Sequence, residues 1–83
     1  MGSANDAIVS LDGIGAKRRA SVVSIGGGWG VRQRLNQMGI HVDDTLEIRR
    51  CCSMGGPILI RVHGSDIALG RGLARKIMVQ TIG

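Results

Sequence analysis

Gly55-Gly56-Pro57-Ile58-Leu59-Ile60-Arg61-Val62, then His63-Gly64-Ser65, then Asp66-Ile67-Ala68-Leu69-Gly70-Arg71, is the stretch that decides the architecture of this chain. A glycine-proline break interrupts regular pairing and marks the start of a strand at Ile58. Ile58, Ile60 and Val62 alternate with Leu59, Arg61 and His63, which buries one face and leaves the other mostly in water. His63-Gly64-Ser65 carries the residue types of a tight reversal, and Asp66 to Leu69 resumes as a second short strand.

Upstream, Thr45-Leu46-Glu47-Ile48-Arg49-Arg50 alternates most strictly, with Leu46 and Ile48 inward, and Val42-Asp43-Asp44 makes the turn into it. From Gly30 to Met38 the period changes. Val31, Leu35 and Met38 recur at helical spacing, Arg32, Gln33, Arg34, Asn36 and Gln37 fill the polar side, and Gly39 stands where a left-handed C-cap is needed, with Ile40 packing back. Ala20-Ser21-Val22-Val23-Ser24-Ile25 is a β-branched run ended by Gly26-Gly27-Gly28. Ile8 to Gly13 reads as a short docking segment ending at a turn, and residues 1–7 as a frayed or cloning-derived extension, in which Met1-Gly2-Ser3 is given no structural weight. Downstream come a helical or 3₁₀ turn over Gly70 to Lys76 and a closing strand, Ile77-Met78-Val79-Gln80. The expected fold is mainly β: a small SH3-like barrel of about five strands in residues 8–83, with one short inserted α-helix and a short helical turn before the last strand. An open sheet of so few strands would leave unprotected edges.

With 83 residues and no apolar run of the ~20 residues a bilayer span needs, the chain is expected to hold one core without membrane insertion. Trp29 is the only aromatic side chain, so the stacking platform of a single-strand nucleic-acid barrel is missing. The formal charge of +5, from 11 Lys and Arg against 6 Asp and Glu, favours an acidic partner, and all but two of the cations are arginine, whose planar fork suits carboxylate or phosphate. Those cations are spread along the sequence, where a phosphate track would want a cluster. Cys51 and Cys52 are adjacent and on a strand would point to opposite faces, so no disulfide framework is expected and a reducing cytoplasmic compartment is the simplest assignment.

The order of parts, with Ser24-Ile25, Arg34-Leu35, Met38-Gly39-Ile40, Arg49-Arg50, Gly56-Pro57-Ile58, Ile67-Ala68-Leu69, Ala74, Ile77 and Val79 at matching places, resembles the FeoA family over nearly the whole ordered chain. These are small cytoplasmic SH3-like partners of the bacterial ferrous-iron transporter FeoB. The chain departs from the family pattern at Val42-Asp43-Asp44, where a proline-glycine turn is common, at Cys51-Cys52, where alanine-proline is, and at Gly70, where a basic residue is usual. The resemblance implies a non-enzymatic accessory protein that binds and modulates a FeoB-like membrane GTPase, with no cofactor and no nucleic-acid partner. It leaves homo-oligomerisation open.

Each candidate site has a plainer competitor. Gly26-Gly27-Gly28-Trp29-Gly30 lies where a phosphate loop would be, but Val31 replaces the third glycine of a dinucleotide fingerprint and no Gly-Lys-Ser/Thr follows, so a flexible connection with Trp29 at the barrel mouth is favoured. Cys51, Cys52, His41 and His63 match no metal spacing, and ordinary barrel positions are favoured over iron or zinc ligation, although Cys51 and His63 are placed to approach across the hairpin. Asp43-Asp44 reads as a turn, and no nucleophile, base and orienter converge, so no catalytic residue is expected. Partner contacts are assigned to Trp29, Arg32, Gln33, Asn36 and Gln37 on and before the helix, and to Met54 at an apolar loop tip. The alternative function is an SH3-like regulatory or nucleic-acid-binding barrel related to the C-terminal domain of iron-dependent repressors, compatible with the charge but lacking a recognition helix.

Overall fold

The β4–β5 hairpin forms at the residues that the sequence marks for it. In the computed structural model, which describes residues 8–51 and 55–82, β4 runs Ile58–Val62 and β5 Ser65–Leu69. Val62 pairs with Ser65, so the loop is only His63-Gly64, with both residues at positive φ (52° and 78°). That is the backbone a two-residue type I′ turn requires, and it matches the right-handed twist of the flanking strands.

The other elements are β1 (Ile8–Ser10), a 3₁₀ turn (Leu11–Gly13), β2 (Arg19–Ile25), α1 (Gly28–Gln37), β3 (Thr45–Cys51), α2 (Arg71–Ala74) and β6 (Ile77–Ile82). The strands form one antiparallel sheet in the order β1-β6-β2-β3-β4-β5. It has six strands where about five are expected, because Ile8–Ser10 docks as a strand on β6 through Ile8↔Gln80, Val9↔Val79 and Ser10↔Met78. Three residues are too short to show a period in the sequence.

Inward-facing residues of β2 to β6, together with Leu11, Ile14, Leu35, Ile40 and Ala74, make a single buried cluster, so the sheet wraps around one core. Ile48, Ile58, Ile60, Leu69, Ile77 and Val79 are wholly buried within it. No charged or polar side chain is buried among the described residues. On the outer face, Arg19, Glu47, Arg61 and Asp66 stand in one cross-strand row of alternating sign. Opposite charges placed directly across a ladder support its register.

α1 begins at Gly28, two residues before the expected start. Gly27 and Gly28 both take φ +88°, and a Cβ on Gly27 would lie 2.9 Å from Val31 Cγ2, so glycine is required at that close approach. The helix ends as the sequence predicts, with Gly39 at φ +93°, its N–H donating to Asn36 O (3.0 Å) and the Ile40 N–H to Leu35 O (2.9 Å). These two bonds make a Schellman cap. Cys52, Met54 and residues 1–7, to which roles are assigned above, lie outside the described residues.

Candidate interaction surfaces

β2 carries different chemistry at its two ends. At its C-terminal end, Gly26 donates to Lys76 O (2.7 Å) and the chain turns into α1, of which only Leu35 is fully buried. Val31 and Met38 pack partly against the core, as their spacing predicts. That leaves Arg32, Gln33, Asn36 and Gln37 exposed, together with Trp29 at 72%. Four of the polar candidates and Trp29 therefore share one helix, while Met54 lies outside the described residues.

Midway along β2, opposite Val22, Asp44 does more than turn the chain. Its Oδ2 accepts the His41 backbone N–H at 2.7 Å and faces His41 Nδ1 at 3.5 Å, and its Oδ1 lies 3.1 Å from His63 Nε2. The carboxylate thereby ties the α1–β3 connection to the β4–β5 turn. Partial burial pushes its pKa up, but the His41 N–H and then the His63 imidazole outweigh this and leave it below its ordinary value. Sequence spacing hides this hub, since Asp44 and His63 meet only once β3 and β4 pair.

The approach of Cys51 to His63 does not occur. Cys51 pairs with Ile58 and Leu46 with Val62, so the antiparallel ladder holds Cys51 at one end of the hairpin and His63 beyond the other. His63 meets Asp44 instead. Among the described residues no group of three His, Cys, Asp or Glu is arranged to hold a metal ion.

At the N-terminal end of β2 the cations are gathered, contrary to their spread along the sequence. Lys17 N–H donates to Ile48 O (2.6 Å) and Ile48 N–H to Arg18 O (2.8 Å), while Arg19 pairs with Glu47. This sets Lys17-Arg18-Arg19 beside Arg49-Arg50, where a register shift between Ile48 and Arg50 disturbs the alternation. All five cations are exposed. Glu47 stands among them, 3.4 Å from Arg49 Nη1, and Asp66 is held below its ordinary pKa by the Arg61 guanidinium and, more weakly, by Arg49. The paired Arg-Arg dipeptides are visible in the sequence, but their meeting depends on the β2–β3 register.

A small six-stranded SH3-like barrel with an inserted helix defines the class. The family model described as the FeoA domain matches residues 9–81, and the chain belongs to that family. It is 48% identical over 59 residues, 71% of this chain and 70% of the other, to a Methanocaldococcus jannaschii protein named "Putative Fe(2+) transport protein A". The fold superposes with a TM-score of 0.83 on a crystal structure of an iron uptake regulatory protein (FeoA), 38% identical, covering 92% of this chain and 99% of that one. A manganese-dependent transcriptional repressor also shares the fold (TM-score 0.83, 18% identity), with 90% of this chain matching 42% of that longer chain.

Proposed function

We propose that this chain is a non-enzymatic, cytoplasmic accessory protein of ferrous iron uptake that binds the cytoplasmic part of a FeoB-like membrane GTPase and modulates it. Membership of the FeoA family connects it to ferrous iron transport. Among the described residues no helix is long and apolar enough to cross a membrane, consistent with a protein that acts on a transporter. The observation that carries the docking site is α1: it commits one fully buried residue to the core and turns Trp29, Arg32, Gln33, Asn36 and Gln37 outward. An exposed tryptophan beside an arginine is the composition of an interface anchor. Met54 is proposed as a further, adaptable apolar contact.

The test uses the chain's own chromophore. Trp29 is the single tryptophan and there is no tyrosine, so its emission reports the docking face directly. Titration with the transporter's soluble cytoplasmic domain at low salt is expected to shift that emission to shorter wavelength. Trp29→Ala, followed by calorimetry, is expected to weaken binding by at least about tenfold. Absence of binding at low salt would refute the reading. The likeness to a repressor supports the shape alone.

A further inference from the structure

We propose that the arginine end of β2 and β3 is a peripheral contact for an anionic lipid surface. The face holds Lys17, Arg18, Arg19, Arg49 and Arg50 against Glu47, a local excess of four charges in a chain whose formal net charge is +5. Most of the unbalanced charge thus sits at one end of the molecule. Elsewhere Arg61 is met by Asp66 at 2.8 Å and Arg75 by Asp12 at 3.4 Å.

Three observations select a lipid surface over other acidic partners. The exposed residues of 15–19 and 47–50 are glycine, alanine and cations, with no large apolar side chain among them, so neither segment supplies the buried anchor of a specific protein interface. It also lacks an aromatic ring on which a base could stack, Trp29 being at the other end of β2. And no cavity opens on the surface of the described residues. A flat, diffuse field of negative headgroups asks only for clustered positive charge, and each basic residue near such a surface adds affinity. Arg19 and Ile25 bound a strand of seven residues, so the lipid contact and the α1 face lie about 20 Å apart and can be engaged together.

The experiment is sedimentation of the intact chain with vesicles of equal parts phosphatidylcholine and phosphatidylglycerol, and with phosphatidylcholine alone. Binding is expected at low salt to the mixed vesicles only, with release at about 0.5 M NaCl. Arg18→Ala and Arg50→Ala are each expected to weaken it about fivefold, whereas Arg34→Ala and Lys76→Ala, which remove the same charge elsewhere, change it less than about twofold. Glu47→Gln is expected to tighten binding, an effect that misfolding does not mimic. Failure to bind the mixed vesicles at low salt would overturn the proposal. So would equal losses from all four alanine variants, or displacement from the vesicles by duplex DNA at equal phosphate concentration. No transporter is present in the assay, so its failure leaves the docking of α1 untouched.

Discussion

The arginine end and the helix end of β2 are built in opposite ways. At the arginine end, two sequence segments thirty residues apart are brought together by backbone bonds between residues 17–18 and Ile48, and the side chains stay in water. At the helix end, one contiguous segment leaves the sheet through Gly26-Gly27-Gly28, and its hold on the core is one fully buried leucine with Val31 and Met38 partly packed beside it. The first is a rigid backbone carrying loose charge. The second is a packed lever carrying an exposed ring. What a face can bind is thus separable from how firmly its backbone is held.

The sharpest way to break this contrast is Leu35→Ala, expected to cost about 3 kcal/mol in urea unfolding because the side chain is wholly buried. Hydrogen exchange should then show the α1 amides losing protection ahead of the Ile48 amide, which donates to Arg18 O. Equal loss at both ends would show one cooperative unit and erase the distinction. Gly27→Ala is expected to cost about 2 kcal/mol, since it combines φ +88° with a 2.9 Å approach to Val31 Cγ2. A thermal melt checks it, and an unchanged midpoint would mean that the α1 entry relaxes freely.

Asp44 sharpens the contrast by pH. Its folded pKa lies below 3.8, so over the window between the two values the unfolded chain binds more protons. The stability it contributes is therefore present above about pH 4 and is lost as pH falls through the folded value. Asp44→Asn is expected to cost about 1 kcal/mol at neutral pH and to flatten the acid limb of the unfolding midpoint against pH. A variant whose acid limb stays parallel to the parent's would remove Asp44 from the hub.

The segments that could be read from sequence are those whose local chemistry and tertiary role agree. Ile58–Val62, the His63-Gly64 reversal and the Gly39 cap each carry their own signal and form where it places them. The inward pair Leu46 and Ile48 follows from alternation alone. β1 escapes because three residues show no period, and the helix start escapes because consecutive glycines look like loop until Val31 packs against Gly27. For the candidate surfaces, the outward face of α1 is a local property and is legible, whereas Asp44 with His63 and the arginine cluster are products of strand register. Charge spread along a chain can still be concentrated in space.

The strand order carries a temporal consequence. β6 lies between β1 and β2, yet it is the last of the six to leave the ribosome. Until residues 77–82 emerge, β1 has no neighbour at all, β2 is paired on one side only, and Ile77 and Val79 are missing from the core. The β3-β4-β5 meander closes by short loops and is free to assemble during translation, but the sheet is completed only by its final strand, inserted between the two earliest.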